Sequence, residues 1–290
     1  MSDPAENFRT APGAAPLEPR RLGRNRSGYG GETVRIEELL RECEKIARAK
    51  GWSTGKMVAA PGLELPFYTR IARRTDAPSC SVYISAGIHG DEPAPPLAIR
   101  ELLARDCWPG NVNLWICPCL NPTGFGSNRR ENHAGKDLNR QYLRPDAPEI
   151  ISHIVWLEAQ PAFDLCLCLH EDWEAHGFYL YELNPDKRVS IAGCIIQAVS
   201  RVCPIDPSEF IEGRAAANGI IEGGADIQAR PLWPEAFFLI TQKTRLCYTL
   251  EAPSDFPRAT RTEALVEGVN AGLQALTQGL ERVLPSVRRR

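Results

Sequence analysis

A chain of 290 residues with 43% hydrophobic content can bury one large core or two small ones. Lys and Arg total 34 against 36 Asp and Glu, giving a formal net charge of −2 and an isoelectric point near 6.3. That balance offers no general attraction to nucleic acid or an anionic membrane, and neither is expected as a partner.

Residues 1–31 are rich in Pro, Gly, Arg and Ala, lack hydrophobic periodicity, and read as an N-terminal tail or arm. They contain no apolar centre of the kind a signal peptide carries. No later stretch is apolar enough to span a bilayer, so a cytoplasmic protein is expected. The short basic runs (Arg20, Arg21, Arg24, Arg26 and Arg288 to Arg290) read as solvated ends. Residues 32–290 run on without a repeat or long linker, as one domain.

Residues 32–50 place Ile36, Leu39, Leu40, Cys43, Ile46 and Ala47 on one helical face, and Gly51 supplies the stop. Short apolar runs at 65–72, 81–86, 111–117, 163–169, 178–181 and 246–250 read as strands. Helical patterns lie at 95–105, 147–159, 191–202 and 262–283. Strands alternating with helices predict an α/β fold with a mostly parallel sheet, and a run such as DLCLCL fits a strand covered on both faces. The ten cysteines include no CxxC pair; several alternate inside apolar runs and read as small buried hydrophobes with reduced thiols.

Four apolar runs end in polar groups: 81–86 leads into His89-Gly90-Asp91-Glu92, 111–117 into Asn121, 163–169 into His170, and 246–250 into Glu251. Ligands of open α/β sheets bind outside the carboxyl ends of strands, so these four ends predict one cleft. Imidazole nitrogen and carboxylate oxygen both suit zinc, and a catalytic zinc takes three protein ligands. His89 and Glu92, three apart across a turn that Gly87 and Gly90 permit, supply two; His170 is the best third. Alone, H-x-x-E is a common surface pairing, and it gains weight only from the set. His133, His153 and His176 close no strand and read as exposed or structural. Glu251 is placed to move a proton. Between these ends lies a dense polar stretch with Arg130, Asn139 and Arg140, whose guanidinium forks suit carboxylates and oxyanions.

H-G-D-E (89–92), N-P-x-G (121–124), R-x-N-x-x-G-x-D-L-N-R (130–140), His170 and T-L-E-x-P-S (249–254) occur in this order. The set resembles the zinc metallocarboxypeptidases related to carboxypeptidase A. It is nearest to the bacterial murein peptide amidase-like and succinylglutamate desuccinylase/aspartoacylase-like branches, over about residues 60–280. The resemblance implies a three-layer sandwich around a mixed, mostly parallel sheet of about eight strands. It implies one zinc ion held by His89, Glu92 and His170, with Glu251 as general base and then acid. Arg130 would polarise the scissile carbonyl, and Asn139 and Arg140 would grip a terminal carboxylate. The activity implied is that of a carboxypeptidase, a hydrolase cutting an amide bond beside a free carboxylate with a zinc-bound water. An N-acyl amino acid deacylase and a non-catalytic zinc-binding protein are the alternatives. The expected partner is a small peptide or acyl-amino-acid; self-association is left open. Asp91 stands where pancreatic-type enzymes carry arginine. The tyrosine that covers substrate in those enzymes has no placed counterpart, since Tyr248 is too near Glu251, and the base of the side-chain pocket is expected within 219–231.

Overall fold

The computed structural model describes residues 20–24, 32–72, 79–223 and 227–283. Most of the expected arm therefore lies outside the described residues. The described part begins its regular structure with α1 (Ile36–Ala49), β1 (Ser53–Ala60), β2 (Leu63–Arg70), β3 (Cys80–Ser85) and α2 (Ala94–Arg105). There follow β4 (Val112–Cys117), α3 (Pro122–Phe125), α4 (Pro148–Glu158), β5 (Leu165–Asp172), β6 (Tyr179–Leu183) and α5 (Ala192–Val199). The remainder is β7 (Phe210–Ile211), β8 (Arg214–Ala215), β9 (Ile220–Gly223), α6 (Glu235–Gln242), β10 (Cys247–Pro253) and α7 (Arg258–Val283).

Eight strands form one sheet in the order β1-β2-β4-β3-β5-β10-β6-β9, and β7 and β8 pair separately. The central block β4-β3-β5-β10 is parallel throughout, while β1/β2, β2/β4 and β10/β6 are antiparallel. Side chains alternate between the two faces. Val82 and Ile84 of β3 join one core with Leu167, Leu250, Leu102, Leu265 and Val269, which buries α1, α2, α5 and α7. Tyr83 joins the other with Trp115, Ile150, Trp156, Cys166 and Leu239, which buries α4 and α6. The outcome is the expected three-layer α/β sandwich with a mixed sheet. All ten cysteines are free thiols, and eight are buried. Burial pushes the Cys43 and Cys203 thiols up to about 12, so they pack as hydrophobes.

The structure extends two strands beyond their expected ends. β5 and β10 run through His170 and Glu251 to Asp172 and Pro253, because their parallel ladder continues unbroken past the polar side chains. β1 was not legible in the sequence: it is an edge strand of small and polar residues with only Met57 buried. Nor was α6, whose run EAFFLITQ is short and buried on more than one side.

After β3 the chain crosses to β4 on one side, and it later returns to β5 on the other. The carboxyl ends of β3 and β5 thus flank a topological switch point, where the connecting loops diverge and leave a crevice. No described helix is long and apolar enough to cross a membrane.

Candidate metal centre and cleft

His89 lies beyond β3, in a turn where Gly87 has φ +61°. Gly90 passes against the backbone of Gly124; a Cβ on it would sit 2.1 Å from the Gly124 carbonyl carbon, which only glycine avoids. Asn121 stitches the two loops together. Its side-chain amide donates to the carbonyls of Ile88 and Arg130, each at 3.2 Å, and its Oδ1 accepts from Gly124 N–H at 2.9 Å.

These loops and β5 bring His89, Glu92 and His170 together. The three are 2–5% exposed, and one ligand atom from each lies within 4.8 Å of the other two. Both imidazoles turn Nδ1 toward one carboxylate: His89 Nδ1 is 2.5 Å from Glu92 Oε1 and His170 Nδ1 is 3.0 Å from Oε2. The second ring nitrogen of His89, Nε2, is buried without an aligned hydrogen-bond partner among the described residues and faces Asp137 Oδ1 at 3.4 Å. A histidine that offers one nitrogen to a centre and the other to a carboxylate is the usual arrangement of a metal ligand. The donor set, two imidazoles and a carboxylate, fits a divalent metal ion.

The charges are tightly coupled. Burial disfavours ionised Glu92, but the flanking imidazoles outweigh it and hold its carboxyl well below the usual range. Burial likewise opposes protonation of His89, and Glu92 and Asp137 reverse the effect. Asp137 is itself held low, its burial outweighed by His89 and Arg130. Glu251, partly buried, is pushed the other way. Burial raises its carboxyl well above the ordinary range, and Glu92, Asp172 and Glu212 add to the effect against His170.

All the expected site residues border one cleft of about 540 Å³. Arg130 donates from Nε to Asp137 Oδ2 at 2.9 Å and sets Nη1 3.3 Å from His89 Nδ1. Asn139 accepts the Glu235 N–H on Oδ1 at 2.8 Å, which leaves its amide NH₂ as a donor. Arg140 is exposed, with Nη1 donating to the Asn139 carbonyl at 2.8 Å. Asp91 borders the cleft, with Oδ1 buried and lacking a hydrogen-bond partner among the described residues. The other histidines stay apart. His153 is fully buried between the Tyr83 and Tyr142 hydroxyls and lowered to about 3 by burial, and His133 and His176 are exposed.

Sequence reasoning gave no role to Asp137, Tyr179 or Tyr181. Asp137 could have been found from its place in D-L-N-R, where its Oδ1 accepts from Asn139 N–H two residues on. The tyrosines alternate in the run FYLYEL, a strand pattern that turns both toward one face. Tyr179 is the register partner of Glu251 and donates to Asp172 Oδ2 at 3.0 Å; Tyr181 donates to Glu212. Tyr248 is wholly buried, with its hydroxyl accepting from Ile191 N–H, so it covers no substrate. Of the 219–231 region, Gly223 and Arg230 border the cleft, while 224–226 lie outside the described residues.

The mixed sheet has the carboxypeptidase-like fold, and it carries a His–Glu–His cluster at its carboxyl edge. Residues 78–188 match the succinylglutamate desuccinylase/aspartoacylase catalytic domain. Carboxypeptidase SOL1 of Arabidopsis thaliana is 32% identical over 122 residues, 37% of this chain. The match spans 23% of that relative's length. A metallo-carboxypeptidase of Burkholderia cenocepacia superposes with TM-score 0.67 at 18% identity, covering 86% of this chain and 71% of that one. Carboxypeptidase A of Helicoverpa armigera does so with 0.62 at 14% identity, covering 87% and 78%. At such identities the superpositions establish the fold.

Proposed function

We propose that this chain is a zinc-dependent hydrolase of the carboxypeptidase type, cutting an amide bond next to a free carboxylate. The reading is carried by one observation: two imidazoles and a carboxylate converge while a second acid, Glu251, stands beside His170 on the neighbouring strand. Zinc held by His89, Glu92 and His170 would supply a Lewis acid and lower the pKa of water at the site. Glu251 would accept the proton of the attacking water and return it to the leaving nitrogen. Arg130, fixed by Asp137, would donate to the oxygen on which charge develops. Asp137 would hold His89 in one tautomer. The Asn139 amide and Arg140 would take the substrate carboxylate and so decide which bond lies over Glu251.

The floor beyond Glu251 supports a peptide substrate with an apolar residue beside that carboxylate. Two residues before the His170–Glu251 pair, on the same sheet face, Cys168 and Thr249 are register partners; two residues further back, Leu183 lies opposite Cys247 and pairs with Gly223. Cys168, Thr249, Leu183 and Gly223 border the cleft, and none is charged. A deacylase is the second reading, favoured by the domain matched at 78–188. The experiment is a panel of peptides, their C-terminal amides and N-acyl amino acids offered to zinc-loaded protein. Peptide cleavage lost on amidation supports the first reading, and turnover of acyl-amino acids alone the second. A metal-loaded protein inert to the whole panel refutes both.

A further inference from the structure

Arg130, Asp137, Asn139 and Arg140 all sit on one loop, and apart from the 3₁₀ turn Leu138–Arg140 that loop has no regular structure. Its shape depends on Asn132, a residue outside the cleft and 2% exposed. Asn132 Oδ1 accepts from the N–H groups of Ala134 and Lys136, both at 3.0 Å. Its own N–H donates to the Lys136 carbonyl at 3.0 Å, and its carbonyl accepts from Gly135 N–H, where φ is +74°. Asn132 thereby closes a tight turn that delivers Asp137 one residue later. An asparagine amide can flip, and flipping would present NH₂ to two N–H donors. What prevents the flip is Glu149, in the first turn of α4, whose Oε1 accepts from Asn132 Nδ2 at 3.0 Å.

Glu149 is a costly residue to place there. It is 0% exposed, and its Oε2 is buried without a hydrogen-bond partner among the described residues. A buried carboxylate with one oxygen unsatisfied is weak evidence for stability, since an apolar residue of similar volume often does as well or better. We propose that Glu149 is a positioning residue: through Asn132 it locks the 130–140 loop, and so sets Arg130, Asn139 and Arg140 for a carboxylate-bearing substrate. This rests on the hydrolytic reading above.

The test compares Glu149→Gln, which keeps an acceptor oxygen, with Glu149→Met, which keeps the volume and loses it. Two readouts are taken: amide hydrogen exchange at Ala134 and Lys136, and KM and kcat on a free-acid substrate and its amide. Glu149→Met is expected to speed exchange at those two amides tenfold or more, with the β5 amides unchanged. It should raise KM for the free acid tenfold or more with kcat within threefold. Glu149→Gln should stay within threefold of wild type in everything. A Met variant with wild-type exchange and KM overturns the proposal, as does a Gln variant as damaged as Met. If Glu149→Met fails to fold, Asn132→Asp sets two carboxylates against each other, and adding Glu149→Gln restores a donor–acceptor pair. Failure of the double variant to recover loop protection overturns the proposal equally. A wild type indifferent to free acid and amide would instead refute the functional reading, while exchange at Ala134 and Lys136 still judges the hold of Glu149 on the loop.

Discussion

Glu251 and His170 are register partners in the parallel ladder between β10 and β5, so an acid and an imidazole far apart in sequence project side by side from one sheet face. The spacing is set by the backbone ladder and survives side-chain changes. Glu251→Gln should therefore leave the fold and metal content intact while removing the proton acceptor. We expect turnover to fall by about 10²–10⁴, the usual worth of a general base. Steady-state rates on metal-analysed protein measure it, and a variant turning over at the wild-type rate would remove Glu251 from its role.

The metal reading has a consequence that needs no substrate. An ion that binds the folded chain alone stabilises it by RT ln(1 + [L]/Kd), about 2.7 kcal/mol at a hundredfold excess over Kd. Zinc should raise the melting temperature of metal-stripped protein by several degrees. His170→Ala should abolish the rise, because only two of the three clustered ligand groups remain. A melting curve blind to zinc in the wild type would count against the centre.

Gly90 tests the loop geometry. Its Cα hydrogen faces the Gly124 backbone, and the clash a methyl group would meet at 2.1 Å is with main chain, which cannot rotate away. Gly90→Ala should cost about 3 kcal/mol or more, at or beyond the upper end of ordinary overpacking. It should also weaken metal binding, because His89 and Glu92 flank the site. Denaturant unfolding with a metal titration measures both, and a variant matching wild type in each refutes the argument.

How much of this the sequence showed depends on how local each signal was. His89, Glu92 and His170 could be chosen because glycines or apolar strands surround them, and β3 and β5 do lead into the centre. The positions of Asn139 and Arg140 followed from their motif. Glu149 and Glu235 were invisible: Glu149 reads as an ordinary acid in the first turn of a helix, Glu235 opens a helix the sequence did not reveal, and their links to the loop span 17 and 96 residues. Tyr179 was missed for a related reason, since only the antiparallel register of β6 against β10 sets it opposite Glu251.

Arg140 is exposed, and among the described residues only its Nη1 is committed, to the backbone of Asn139, so the rest of its fork can meet a substrate. A charged hydrogen bond contributes roughly 1.5–3 kcal/mol, which converts to about 10–100-fold in binding. Arg140→Ala should raise KM for free-acid substrates by that factor and leave their C-terminal amides unaffected. Equal losses on both substrates would show that Arg140 acts on the fold and not on the carboxylate.

Asp255, four residues past Glu251 and 2% exposed, is the anchor for the described arm residues. Its carboxylate accepts from Gly23 N–H at 3.2 Å, Arg24 N–H at 2.8 Å and Arg21 Nε at 3.1 Å. Burial favours the neutral acid, but the two N–H groups and Arg21 outweigh it and lower the carboxyl below its ordinary value. A carboxylate depressed in the folded state stabilises above its unfolded pKa of about 3.9, and that contribution disappears as pH falls through the folded value. The wild type should therefore melt above Asp255→Asn at pH 7, and the gap should begin to narrow once the pH drops below about 4. Thermal melts of the two proteins from pH 7 to pH 3 decide it. A gap that is constant with pH would mean that the arm is held by shape and not by the charge on Asp255.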